Sequence, residues 1–351
     1  MQVRPSLDAA RDDAFHPPVA GAPDLERYSE WHHFNFNDDA SEVYGLFNLA
    51  LSGDVHHPSR ARAGVSLVVC ERGVGWHGTM NLHPLEECTF SGGSADVAIG
   101  GNAVRLRRGA YEVSGALKDG SVALNARWTP RASPMRLDHI GGVVSSFLQP
   151  SFDVEGTLVL QGREIPLRGA SGYHDHNWGS WDWGRDIGWD WGYILEPQAN
   201  GRGKRAMRAR PPLSIVFGQV TDGSRASARS DLVMMVWEGE RWSRAFVGDA
   251  VTIAVHGERR YGDVPRIPGV MSLLVPERSY IPELVEIRAA DGDDVLEITL
   301  RVDSAMQFLI PHPATDGRTT ISELVGEYTV RGTLDGREIH FSYVGFAELA
   351  G

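Results

Sequence analysis

The feature that most constrains this chain is the rhythm of its apolar runs. They are short, and Gly, Asp or Asn cuts them off before a helical repeat can establish itself. Residues 43–50, 64–70, 122–128, 213–217, 232–237, 296–302, 328–334 and 339–344 are such runs. Between runs stand turn sequences such as Lys118-Asp119-Gly120, Gln161-Gly162, Asp291-Gly292 and Asp335-Gly336. These supply the positive-φ positions that tight hairpins require. The pattern predicts an all-β chain of many antiparallel strands with few helices, closed into barrels or sandwiches.

One hairpin pattern occurs twice. Residues 152–169 read FDVEGTLVLQGREIPLRG, and residues 328–343 read YTVRGTLDGREIHFSY. Each is a strand with a central Gly, a turn followed by Arg-Glu-Ile, and a second strand. A Gly within a strand marks a bend or a close backbone approach, so the repeat predicts two related β-domains. The 351 residues suffice for two ordinary domains. The expected division is a loose, Pro- and Asp-rich leader (1–22), an N-terminal β-domain (23–197) and a C-terminal β-barrel (198–351). The basic stretch 198–212 reads as a surface loop.

Composition removes several classes of function. The net charge of −12 argues against nucleic acid, which demands clustered cations, and disfavours anionic membrane surfaces. No apolar run has the length of a membrane span. The N-terminus lacks the apolar core of a signal peptide. Cys70 and Cys88 make no disulfide framework and no zinc spacing, which points to a reducing, cytoplasmic setting. There is no phosphate-binding Gly-rich loop, no Gly-x-Ser-x-Gly elbow and no nucleotide fingerprint.

The chemistry concentrates in residues 171–193, SGYHDHNWGSWDWGRDIGWDWGY. This stretch holds Trp178, Trp181, Trp183, Trp189 and Trp191, half of the ten tryptophans. Strand periodicity sorts its centre. Tyr173, Asp175 and Asn177 share one face; His174, His176 and Trp178 share the other. If the first face lines a cavity, a carboxyl among aromatic rings is desolvated, stays protonated more readily, and can act as an acid. Aromatic faces would then stabilise a carbocation formed by protonating a C=C bond. If the second face lines it, His174 and His176 are metal-ligand types whose third partner is open, with His77, His83, Glu86 and Glu87 as candidates. A third reading is a buried polar network that closes a barrel. Trp31, His32, His33, Phe34 and Phe36 form a second aromatic run, read as core or as pocket lining. Glu30, Asp182, Asp186 and Asp190 are the candidate second acids.

At Gly172-Tyr173-His174-Asp175-His176-Asn177-Trp178-Gly179 the sequence resembles the signature of the carotenoid 1,2-hydratases (hydroxyneurosporene synthases). Glu30-Trp31-His32-His33-Phe34 resembles that family's opening motif, with His32 in place of a second Trp. Gly332, Gly336-Arg337 and Gly345-Phe346-Ala347-Glu348 resemble its closing pattern. The resemblance spans nearly the whole chain. It implies two consecutive lipocalin-like domains with a ligand cavity in or between them, and Tyr173 and Asp175 as the acid and water-handling pair. It implies no metal and no organic cofactor. Fungal decalin-forming Diels–Alderases share a similar architecture. The expected partner is a hydrophobic isoprenoid or polyene, reached through a peripheral membrane contact if it is membrane-borne. Asn177, His174, His176, Trp178, Trp181, Trp183, Trp189, Trp191 and Trp31 are the expected substrate-binding residues. A pericyclase and a non-catalytic carrier of a hydrophobic ligand are the alternatives.

Overall fold

The computed structural model describes residues 1–197, 210–222, 231–257, 264–268, 281–311 and 318–351. Most of the basic stretch 198–212 lies outside these residues. The described chain is nearly all β and divides into two compact units, Met1–Asp186 and Ile187–Gly351. Among the described residues no helix is long and apolar enough to cross a membrane.

The first unit contains β1 (Gln2–Pro5), α1 (Ala9–Asp12), β2 (Tyr28–Asp38), β3 (Val43–Gly53), β4 (Ala61–Glu71), β5 (Gly75–His83), β6 (Cys88–Phe90), β7 (Asp96–Ile99), β8 (Asn102–Arg107), β9 (Ala110–Ala116), β10 (Val122–Pro130), β11 (Met135–Ile140), β12 (Val144–Leu160) and β13 (Arg163–Ser180). Its sheet runs β5-β4-β3-β2-β13-β12-β10-β9-β8-β7-β6 and forms a nearly closed barrel. Off this path, β1 pairs with β11, which pairs with β12. Period-2 burial shows why these residues form strands. Along β10, Val122, Leu124, Ala126 and Trp128 are buried, while Asn125, Arg127 and Thr129 are exposed. The interior is filled by aromatic and branched side chains, among them Phe34, Phe36, Phe47, Tyr111, Trp128 and Phe152. The one polar atom of Trp128 is satisfied, since its Nε1 donates to the Asn35 carbonyl at 3.1 Å.

The second unit contains β14 (Gly188–Leu195), β15 (Leu213–Thr221), β16 (Val233–Glu238), β17 (Arg241–Val247), β18 (Val251–His256), β19 (Arg266–Ile267), β20 (Leu284–Asp291), β21 (Asp294–Pro311), β22 (Arg318–Leu334) and β23 (Arg337–Ala350). Its order, β17-β16-β15-β14-β23-β22-β21-β20-β18, gives a half-barrel. In both units the first long strand pairs with the last, and the last with the one before it. The topology is therefore duplicated: β2, β13 and β12 in one unit correspond to β14, β23 and β22 in the other.

The repeated hairpins occupy equivalent places in this plan. Gln161-Gly162 joins β12 to β13, and Asp335-Gly336 joins β22 to β23. All four turn residues have positive φ, between 49° and 78°, as a type I′ turn needs. The central glycines match as well. A Cβ at Gly156 would strike the Asn125 carbonyl, and one at Gly332 would strike the Val295 carbonyl.

The N-terminal segment departs from expectation. Residues 1–22 are not a loose leader, since β1 pairs with β11 from Gln2 to Pro5. Asp8 caps α1 by accepting from the Arg11 amide, and Asp13, Ala14 and Phe15 are buried. The polar composition hid a short anchor: the Phe15 ring stacks on His32 at 5.0 Å and on Phe90 at 5.5 Å.

The glycine contacts give a direct test. Gly156→Ala and Gly332→Ala should each lower stability by about 1–3 kcal/mol, as overpacking does, read from the denaturant midpoint. Alanine at Gly109, where a Cβ meets nothing within 4 Å, faces no such collision and should cost only its positive-φ strain.

Candidate functional site

The centre of β13 lies between β2 and β12, so its side chains are set by two registers at once. Across β2, His174 faces Phe34, His176 faces His32 and Trp178 faces Glu30. Tyr173 faces Asn35, Asp175 faces His33 and Asn177 faces Trp31. The first set points into the barrel interior: His174 stacks on Phe34 with centroids 3.9 Å apart, and His176 stacks on His32 at 3.9 Å. Of the two faces considered from sequence, the histidines and the indole are the inward one. The expected site residues of β13 therefore fall into two sets on opposite faces of the strand.

The inward set forms a buried network with the N-terminal segment. His174 Nδ1 donates to the His33 carbonyl at 2.9 Å, and its Nε2 lies 3.1 Å from both carboxylate oxygens of Asp13. The Tyr111 hydroxyl donates to Asp13 Oδ2 at 2.6 Å. His176 Nε2 meets Glu30 Oε1 at 2.7 Å, and its Nδ1 lies 3.2 Å from Asp13 Oδ1. Glu30 also accepts from the His16 amide at 2.7 Å and from the Tyr28 hydroxyl. Trp178 is sandwiched by packing: the His16 ring stacks on it at 4.0 Å, and the Arg136 guanidinium sits 5.0 Å from its centroid.

Burial and pairing compete in this network. Burial would raise the Asp13 carboxyl, yet the imidazoles of His174 and His32 beside it hold it well below the usual carboxylate range. Burial would lower His176, yet the carboxylates of Asp13 and Glu30 push it up to about 9. For His32, burial and the charge on His176 hold the ring well below its ordinary value. Two groups among the described residues have the composition and spacing of metal ligands: Asp13, His32 and His176, and His16, Glu30 and His176. The sequence candidates for a third ligand pair elsewhere. His83 Nδ1 bonds Glu87 at 2.8 Å, and His77 lies 3.8 Å from Glu71. Sequence reasoning missed Asp13 because its segment reads as polar leader. Phe15, a lone aromatic two residues on, is the signal that could have found it.

The outward set is also enclosed. Tyr173 and Asn35 are fully buried, His33 nearly so, and Asp175 retains 7% of its surface. Asp175 Oδ1 accepts from Asn177 Nδ2 at 2.6 Å, and His33 Nε2 bonds Asn35 Oδ1 at 2.9 Å. Burial lowers His33 to about 4, so this imidazole is neutral near pH 7. Trp31, on the same face, meets Trp181 edge-on at 5.7 Å and Trp183 at 6.2 Å. Trp183 Nε1 donates to Ser29 Oγ at 3.2 Å. A phenol, a carboxyl, two carboxamides, a neutral imidazole and three indoles thus occur on one buried face and its edge. Asp182 and Asp186, weighed as second acids, pair with Arg27 and Arg185.

Trp189 and Trp191 stand on β14 of the second unit. Trp189 Nε1 donates to Glu348, and Trp191 packs on Tyr193 at 5.6 Å. Asp190, the remaining acid candidate, accepts from Gln219. Glu348 faces Glu323 across the β22–β23 ladder, a carboxyl pair that sequence reasoning did not single out.

Solved structures share this architecture. An assigned AttH from Nitrosomonas europaea matches with a TM-score of 0.61 at 15% identity, over 96% of this chain and 99% of that one. Kievitone hydratase from Nectria haematococca matches at 0.57 and 11% identity, over 96% and 92%. CghA in complex with Sch210972 matches at 0.50 and 11% identity, over 99% and 97%. At these identities the likeness establishes the fold, two lipocalin-like domains. No protein-family model and no curated protein sequence matches the chain.

Two stability effects follow. Asp13→Ala removes the buried carboxylate that His174, His176 and the Tyr111 hydroxyl share and should cost about 3–5 kcal/mol, measured by chemical denaturation. In the second unit, burial raises the Glu348 carboxyl above its ordinary 4.5. An acid raised on folding contributes stability that is full below its unfolded value and is lost as pH rises through the folded value. Glu348→Gln should therefore flatten the fall in unfolding midpoint as pH rises above 4.5; an unchanged pH profile refutes the assignment.

Proposed function

We propose that this chain is an enzyme that protonates a C=C bond of a hydrophobic isoprenoid or polyene, giving hydration or cyclisation. Asp175 is the proton donor, Tyr173 its partner, and Asn177 the group that orients the carboxyl. The observation that carries this reading is the position of Asp175. Its carboxyl is enclosed but not sealed, is held by Asn177 at 2.6 Å, and lies on the face that holds Tyr173 and Trp31. The likeness in fold to a hydratase, kievitone hydratase, supports the same class of chemistry.

In this mechanism Asp175 transfers its proton to one alkene carbon, and the electron pair of the double bond forms the new C–H bond. The adjacent carbon becomes a cation, which the faces of Trp31, Trp181 and Trp183 stabilise. Water adds to that carbon, and its surplus proton returns to the Asp175 carboxylate by way of the Tyr173 hydroxyl. Capture by a second alkene in place of water gives a ring, and loss of a proton to the carboxylate completes the cycle. Enclosure strengthens each of these interactions by removing competing water.

The protein is first extracted from its own host and its co-purifying ligand identified by native mass spectrometry. Turnover of that ligand is then followed in deuterated water. Deuterium on a product carbon, with a fall of about 10²–10⁴-fold in Asp175→Asn and an unchanged unfolding midpoint, is the expected result. Product without deuterium, little affected by Asp175→Asn, replaces this reading with a pericyclic reaction, the alternative drawn from the sequence resemblance. A ligand held but never altered identifies a carrier.

A further inference from the structure

We propose that Asp13, His32 and His176 bind a divalent transition-metal ion of the zinc class, which fastens the N-terminal segment to the first barrel. The three ligand atoms come from elements remote in sequence: the residue after α1, β2 and β13. They all lie within 4.8 Å of one another. Asp13 Oδ1 is 3.2 Å from His176 Nδ1 and 3.6 Å from His32 Nδ1. A tetrahedral zinc ion with bonds of about 2.0–2.1 Å sets neighbouring ligand atoms roughly 3.3–3.4 Å apart. The two distances to Asp13 bracket that value; His32 and His176, now stacked at 3.9 Å, must tilt apart for both Nδ1 atoms to meet one ion.

Hydrogen bonding alone does not account for the cluster. His32 is completely buried, and neither of its ring nitrogens has a hydrogen-bond partner. Buried polar groups are satisfied as a rule, and an orphaned ring beside a carboxylate oxygen points to a missing partner. The surroundings are those of a metal site. Glu30 accepts from His176 Nε2 at 2.7 Å, which turns Nδ1 toward Asp13, where a bound ion would take the place of the Nδ1 proton. Tyr111 donates to the other Asp13 oxygen at 2.6 Å. Carboxylates and hydroxyls of this kind orient metal-bound ligands from behind. Two imidazoles with one carboxylate suit zinc over magnesium or calcium.

The role is structural. All three ligand side chains are fully enclosed, so the ion enters when the N-terminal segment is lifted and is trapped when Asp13 docks. The site is on the face of β13 opposite Asp175, and the inference does not rest on the alkene chemistry proposed above.

The test loads the full chain with zinc, removes the excess by dialysis, and measures metal by elemental analysis and stability by thermal unfolding. One equivalent is expected, with a melting temperature raised by zinc, unmoved by magnesium and restored by chelator. His32→Phe keeps the ring stacked on Phe15 and His176 but removes both nitrogens; it should hold no zinc and show no shift. Asp13→Asn, which keeps the shape and the Tyr111 contact, should weaken zinc binding at least tenfold and stands in if His32→Phe does not fold. Cobalt in place of zinc should give the visible absorption of a four-coordinate nitrogen and oxygen site. The inference is overturned if the wild-type chain retains no zinc, or if a folded variant retains as much and shifts as far as the wild type. Greater stability of His32→Phe than of the zinc-treated wild type also overturns it, and leaves an unfilled polar network.

Discussion

The pairing of β2 with β13 is the contact on which the rest of the first unit depends. It joins the first long strand to the last over ten residue pairs, from Ser171–Asn37 to Ser180–Tyr28. Because strand side chains alternate, this one register decides what faces inward. A slip by a single residue would exchange the two faces of β13 and put Asp175 where His174 now sits. The register is held on the inside by stacked rings and buried ion pairs, and on the outside by the carboxyl, carboxamide and indole groups. The same device, β14 with β23, joins the first long strand to the last in the half-barrel of the second unit.

The two faces of β13 differ in what they can do. Inside, every charge has an opposite charge, and the N-terminal segment covers the site with Phe15 and Asp13. Such a network costs desolvation and returns it only when complete. Its natural role is to fix geometry. Outside, Asp175 has a neutral imidazole across the ladder and keeps a small fraction of its surface. The division of labour is therefore physical: one face holds the strand, and the other presents it.

Much of the fold was legible from the sequence. Turn pairs with Gly and the two-residue alternation disclosed the strands, and the twin hairpins disclosed the duplication, down to the glycines whose Cβ atoms would collide with a neighbouring carbonyl. The alternation also separated Tyr173, Asp175 and Asn177 from His174, His176 and Trp178. It could not say which set points inward, because that depends on β2, some 140 residues earlier in the chain, bringing Phe34 and His32 alongside. Asp13 was invisible for a related reason. A single acid in a polar segment carries no signal until the barrel supplies His174, His176 and Tyr111 around it. Tryptophan density was a partial guide: Trp181 and Trp183 join Trp31, whereas Trp189 and Trp191 belong to the next unit.

Pairing of each unit's first long strand with its last has a consequence for biosynthesis. In the first unit β2 has an exposed ladder edge until β13 has been made, well over a hundred residues later. Contacts so far apart in sequence form slowly, because the loop between them must be closed before they reward it. During that interval β2–β5 can pair as a meander, but the seam stays open and its edge can pair with a neighbouring chain. The nascent domain is therefore at greatest risk of misassembly just before its last long strand leaves the ribosome, and the second unit meets the same delay until β23 has been made.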